Sequence, residues 1–77
     1  MKEKVLAILA DINDEVLFLS DDDDLLELDI LDSLDIINLI GELEKAFKIT
    51  IYPDEIAFEN INTINNIISL LNKKVEK

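Results

Sequence analysis

The side chain best placed to do chemistry is the hydroxyl of Ser33, which stands between Asp32 and Leu34 where an acidic stretch gives way to a helix-periodic run. A serine at such a point has two possible uses. It can cap the helix by accepting a hydrogen bond from a free backbone N–H of the first turn. Alternatively its hydroxyl can stay at the surface as a point of esterification, with an attached phosphate lying against the free N–H groups at the positive helix end. The residues alone leave both uses open. Other constellations fail sooner: the chain has no histidine and no cysteine, so neither a general-base dyad nor a thiol nucleophile can be assembled. It also lacks a Gly-rich loop to cradle a nucleotide. Carboxylates are plentiful but fall on a stretch expected to be solvated, where burial cannot shift their pKa values. No catalytic residue is expected, and the chain reads as something other than an enzyme.

The run Asp21–Asp24 invites comparison with a calcium loop, which needs Gly at its sixth position and a bidentate Glu at its twelfth. Counted from Asp21, those positions hold Leu26 and Asp32, so the match fails and no metal site is expected. A solvated acidic loop is the plain alternative.

The elements that must position Ser33 are helical. Val5, Ile8, Leu9, Ile12 and Val16 recur at helical spacing with polar residues between them, which predicts an amphipathic first helix. From Ser20 to Asp32 runs a connector whose leucines and isoleucines are expected to pack over the open end of the helices. A second helix is predicted to begin at Ser33, because Asp32 and Ser33 are both good N-caps and the periodic run from Leu34 to Phe47 follows at once. Its core arc is Ile36, Leu39, Ile40, Leu43, Ala46 and Phe47, with Leu34, Asn38, Gly41, Glu42 and Lys45 on the far side. Leu34 is thus an apolar residue expected to face outward. Lys48 to Tyr52 reads as an extended connector, because a lone strand has nothing to pair with. Pro53, followed by Asp54 and Glu55, suits the start of a short third helix running toward Phe58. Thr63 caps a last helix with Ile64, Ile67, Ile68 and Leu71 inward and Lys73 and Lys74 near its C-terminal end. The expected fold class is all-α: a small four-helix bundle of three principal helices and a short third one, formed by residues 1–77 as a single domain.

Composition narrows the partners. Eighteen carboxylates against seven lysines give a net charge of −11, a field that disfavours nucleic acid and anionic membrane surfaces and favours basic docking surfaces. Twelve of the carboxylates lie at or before Asp35, and five of the lysines after it, so a basic partner should meet the first half of the chain. No signal-peptide pattern opens the sequence and no apolar run suffices to span a bilayer. Cytoplasmic residence, no stable membrane insertion and a monomeric state are the expectations.

The run Asp29-Ile30-Leu31-Asp32-Ser33-Leu34-Asp35 resembles the attachment motif of the acyl carrier protein superfamily. In that superfamily the serine of Asp-Ser-Leu receives 4′-phosphopantetheine from coenzyme A. The likeness extends over essentially the whole chain: the amphipathic first helix, the Leu-Glu-Leu-Asp-Ile-Leu lead-in, Leu43-Glu44 to Phe47, Ile49 to Pro53, and Thr63-Ile64. It implies Ser33 as the covalent attachment point and a phosphopantetheinyl transferase that Asp32 helps to engage. It further implies a docking surface on the second helix that includes Leu34, Asp35, Ile37 and Glu42. A loading enzyme and downstream acceptor enzymes complete the implied partners, and the implied task is to carry an acyl or aminoacyl group as a thioester. Three features depart from the common pattern. Many relatives have Gly where Asp29 stands. Asn38 and Lys45 occupy positions that are often carboxylates in fatty acid carriers. The segment from Phe47 to Thr63 is slightly longer, and resembles carriers of peptide synthetase, polyketide or D-alanylation systems. The competing reading, from the residues alone, is a small acidic helical interaction module in which Ser33 is only a cap.

Overall fold

A computed structural model of the chain describes residues 1–56 and 58–75. Helix α1 spans Lys2–Ile12 and buries Val5 and Leu9 completely, with Leu6, Ile8 and Ile12 packed at the margins. It ends four residues short of Val16. Asn13 takes an extended conformation, accepts the Glu15 N–H at 3.0 Å and donates its side-chain amide to the Ile30 carbonyl at 3.1 Å. Such side-chain bonding to nearby backbone competes with helix continuation. Val16 is still buried, but from a 3₁₀ turn over Asp14–Phe18, so its place in the apolar series came from a different element than the spacing implied.

Helix α2 spans Ser33–Phe47 and turns Ile36, Leu39, Ile40 and Leu43 into the core. Two members of the predicted arc differ: Phe47 is half-buried at the margin of the core, with the Lys4 ammonium 5.6 Å from its ring centre, and Ala46 is exposed. The helix stops at Lys48, whose backbone is left-handed at φ 55°, and the Ile49 N–H closes back onto the Glu44 carbonyl at 3.2 Å. That pattern is a Schellman-type end without its usual glycine. The Glu44 carboxylate then takes the Ile51 N–H at 2.9 Å, seating Ile51 in the core from an extended connector, as expected.

The third helix is displaced from its predicted place. Pro53–Glu55 form only a 3₁₀ turn, tied by the Tyr52 N–H donating to the Glu55 carboxylate at 2.9 Å. The one-turn helix α3 follows at Phe58–Ile61. The break has a cause: Ile56 is non-helical, and the Asn60 side chain occupies the Glu55 carbonyl at 2.9 Å, which a continuing helix would have used.

Helix α4, Ile64–Val75, starts where Thr63 accepts the Asn66 N–H at 3.0 Å. It buries Ile64, Ile67, Leu70 and Leu71, while Ile68 is only half-buried. Lys74 in its last turn pairs with Glu55 and lies 4.8 Å from the centre of the Tyr52 ring, fastening the 3₁₀ turn to α4. Helix α1 packs on both α2 and α4, and α3 packs on α4. Sixteen apolar side chains among the described residues form one core. Among the described residues there is no strand, and the all-α bundle of three longer helices and one short one is the architecture. None of these helices is long and apolar enough to cross a membrane.

Candidate functional site

The start of α2 resolves what Ser33 can do. Asp32 is the cap: its carboxylate accepts the Asp35 N–H at 2.9 Å, and the Asp35 carboxylate accepts the Asp32 N–H at 3.1 Å. This reciprocal pair is a capping box. The first helical hydrogen bond runs from the Ile36 N–H to the Asp32 carbonyl. Ser33 is the first helical residue, it is exposed, and none of the hydrogen bonds among the described residues engages its hydroxyl. The reading of Ser33 as a mere cap is therefore overturned: Asp32 performs that task, and the serine oxygen faces solvent. The Ser33 and Leu34 N–H groups also have no acceptor among the described residues. A phosphodiester on the Ser33 oxygen would find two free donors and the positive end of a fifteen-residue helix beside it. The chemistry of the site fits that group.

Outward from Ser33 along α2, Leu34 is 71% and Ile37 67% exposed, far more than buried neighbours on the same helix. With Glu42 they share the solvent arc, and Glu42 lies 3.7 Å from Lys45 in a loose ion pair. Asp35 sits at the edge of the arc, half-buried and partly committed to the capping box. The structure thus brings Asp32, Ser33, Leu34, Asp35, Ile37 and Glu42 onto one continuous surface.

On the other side of Ser33, the connector is more ordered than a solvated acidic loop. Each aspartate of the run has a partner: Asp21 pairs with Lys2, and Asp22 accepts the Asn65 amide at 2.6 Å. Asp23 accepts the Ser20 N–H at 2.9 Å. Asp24 accepts the Glu27 and Leu26 N–H groups and the Asn62 side-chain amide at 2.9, 3.0 and 3.0 Å. The backbone adds a Leu25 N–H to Asn62 carbonyl bond at 2.7 Å and an Asn65 N–H to Asp21 carbonyl bond at 3.1 Å. The Glu27 N–H, with the Asn62 and Leu26 donors after it, holds the Asp24 carboxyl below its usual range, against the opposing effect of desolvation. Asn62 and Asn65 were not singled out in the sequence. The local signal was present in the Asp24-Leu25-Leu26-Glu27 spacing, which suits an aspartate accepting from the backbone two and three residues on. Their partnership across the chain had no signal. Leu25, Ile30 and Leu31 plug the end of the bundle as expected, but Leu28 is 51% exposed, because the turn places it on the outer side. Asp29 has φ 59°, the left-handed region that costs glycine nothing and that Asp tolerates better than most residues.

Between this connector and the start of α2 lies an open cleft of about 700 Å³, with Ser33 on its wall. Leu26, Leu31, Ile36 and Ile37 supply its apolar surface, and Asp24, Glu27, Asp29 and Asp32 its carboxylates. Among the described residues no group of His, Cys, Asp and Glu is arranged to hold a metal ion.

A hydroxyl presented in this way on an all-α bundle is matched by the family described as "Phosphopantetheine attachment site", whose profile covers residues 3–71. The chain belongs to that family. It is a carrier protein that holds an acyl group through a covalent 4′-phosphopantetheine, and not an enzyme. As a member it works with a phosphopantetheinyl transferase and with enzymes that load and accept the acyl group. Among curated proteins it is 41% identical over 78 residues to the D-alanyl carrier protein of Lactococcus lactis subsp. cremoris (strain MG1363), with 100% of this chain and 99% of the relative covered. The D-alanyl carrier protein of Streptococcus suis (strain 98HAH33) is 41% identical over 69 residues, covering 90% of this chain and 87% of that one. That of Abiotrophia defectiva is 30% identical over 76 residues, covering 97% and 96%. No solved structure gives a significant match.

Proposed function

We propose that Ser33 is the phosphopantetheine attachment residue and that the carried group is D-alanine. The observation that carries the first part is the division of labour at the start of α2: Asp32 caps the helix, which leaves the Ser33 hydroxyl free at the surface. The second part is supported by relatives named D-alanyl carrier proteins that align along nearly the whole chain.

In attachment, the Ser33 oxygen bonds to the phosphorus that bears the pantetheine, the diphosphate bond of coenzyme A breaks, and the nucleotide leaves as the hydroxyl proton is released. The Ser33 and Leu34 N–H groups would be the donors available to the phosphodiester, and the helix dipole would offset part of its charge. When bound, the prosthetic group supplies a terminal thiol that holds the acyl group as a thioester. The rest is presentation: tethering keeps the cargo at high effective concentration near each partner site.

Partner enzymes dock, in this reading, on Asp32, Leu34, Asp35, Ile37 and Glu42. The two exposed aliphatic side chains supply the apolar contact, and the carboxylates select a basic surface. The chain functions as one monomeric carrier domain over residues 1–77, in the cytoplasm.

Intact-mass measurement after incubation with coenzyme A and a broad-specificity phosphopantetheinyl transferase tests the attachment. Wild type should gain one phosphopantetheinyl group completely, and Ser33→Ala none, with its thermal midpoint nearly unchanged because the side chain is exposed and unbonded. A gain that persists in Ser33→Ala would place the attachment elsewhere. Incubating the holo form with ATP, a D-alanine-activating ligase and either D-alanine or other amino acids then identifies the cargo by a second, hydroxylamine-labile mass increment.

A further inference from the structure

Lysine is scarce in this chain, yet three of its seven lysines meet in one place. Lys48, Ile49, Thr50, Tyr52, Lys73 and Lys74 line an open cleft of about 440 Å³ between the connector after α2 and the last turn of α4. It lies at the opposite end of α2 from Ser33, about 22 Å away along a fifteen-residue helix. No carboxylate lines it among the described residues, although the chain has eighteen. The acidic side chains bonded to this end of the molecule are already used: Glu55 accepts the Tyr52 N–H at 2.9 Å and the Lys74 ammonium, and Glu44 accepts the Ile51 N–H at 2.9 Å. Lys74 is half-buried, held between Glu55 and the Tyr52 ring. Lys48 and Lys73 are exposed and form no ion pair among the described residues.

We propose that this cleft is a docking site for an acidic segment of a partner protein. It lies outside the carrier reading above: the surface is remote from Ser33 and serves whatever cargo is held. Lys48 and Lys73 supply two free cations for carboxylates of the segment. Lys74 is neutralised by Glu55 and acts by fixing the Tyr52 ring. That ring, 57% exposed, and Ile49 offer an apolar contact that a peptide side chain can use and a bare anion cannot. Cations are favoured at helix C-termini, which explains Lys48 and Lys73 singly but not their meeting around an exposed aromatic ring. The net charge of −11 limits the occupant further. A long polyanion such as nucleic acid is repelled by the rest of the surface, whereas a short acidic segment meets the local positive field. A partner that presents basic residues to the start of α2 and an acidic segment to this cleft is matched at both ends, which fixes the orientation of docking.

The test follows amide chemical shifts of the full-length, unmodified protein at low ionic strength as end-blocked hexaglutamate is added, with inorganic pyrophosphate in a parallel titration. Hexaglutamate should shift the amides of Lys48, Thr50, Tyr52 and Lys73, and added salt should reverse the shifts. Lys48→Asn with Lys73→Gln should weaken this binding about fivefold, the loss expected of two exposed ion pairs. Asn suits the left-handed backbone at position 48, where φ is 55°, and both side chains are exposed, so the fold survives the change. Lys2→Gln with Lys45→Gln lowers the net charge equally but alters no lining residue, and should leave binding nearly unchanged. Equal weakening in the two double variants would trace the effect to the overall field and overturn the proposal. Absent shifts at the cleft would overturn it too, as would tighter binding of pyrophosphate, which would make the cleft a phosphate site. Because the protein carries no arm in this experiment, failure here leaves attachment at Ser33 untouched.

Discussion

Two groups of carboxylates lie on either side of Ser33 and are put to opposite uses. In the connector, Asp21, Asp22, Asp23 and Asp24 each meet a donor, and the donors of Asn62 and Asn65 come from the far end of the sequence. These charges build the loop. Along the start of α2, Asp32 and Asp35 satisfy only each other's backbone, and Glu42 has a loose pair with Lys45. These charges stay available to a partner while the exposed Leu34 and Ile37 stand among them. Negative charge in itself is therefore a poor guide to recognition; what distinguishes the groups is that donors from distant parts of the chain, Lys2, Asn62 and Asn65, reach the connector, whereas the partners of the α2 carboxylates come from the helix itself.

The contrast predicts a graded response to substitution. The largest effect should come from Leu25, fully buried in the middle of the connector: Leu25→Ala should cost about 3 kcal/mol, read by denaturant unfolding. Next, Asp24→Ala should lower the thermal midpoint more than alanine at any other carboxylate, since it strands three donors. Its pH signature has a definite sign. A carboxyl whose folded pKa is depressed contributes stability that is present above its unfolded pKa and is lost as pH falls through the folded one. Asp24, and likewise Glu55 through its bonds with the Lys74 side chain and the Tyr52 N–H, are held below ordinary values of 3.8 and 4.5. Stability should thus decline as pH drops below that range, and Asp24→Asn should flatten the decline. A variant with an unchanged acid limb would show that the connector carboxylates are no more structural than those of α2.

Smaller effects belong to α2. Asp32→Ala should cost about 1 kcal/mol, the usual value of an N-cap, and slow transferase modification of Ser33 beyond that loss of stability. Gly41 sharpens the comparison from the other direction. It lies mid-helix on the exposed arc, and a Cβ placed there meets nothing within 4 Å. Gly41→Ala should therefore raise stability by roughly 0.5 to 1 kcal/mol. If chemical denaturation shows no gain, the outer face of α2 is under a constraint that the isolated chain does not reveal.

Much of the site was legible in the sequence because its causes are local. The Asp32–Asp35 box spans four consecutive residues, and helical period alone turns Leu34 outward. Val16, Ala46 and the third helix misled for the complementary reason. Periodicity assigns a face but cannot see Asn13 diverting the backbone, how far the core extends along the last turn of α2, or Asn60 occupying the Glu55 carbonyl. Asp29 lies between these cases: its difference from the family's glycine was visible, but the left-handed backbone that accounts for the glycine was not.

By itself, then, the sequence determined the three longer helices, most of the core faces of α2 and α4, the excess of negative charge and the family motif around Ser33. Each depends on residues within a turn or two of one another. Only the tertiary structure decided which connector carboxylates are consumed by folding and that a cleft opens beside Ser33. Those outcomes depend on Asn62 and Asn65 reaching a loop some forty residues earlier in the chain, and no local spacing records a hydrogen bond made at that separation.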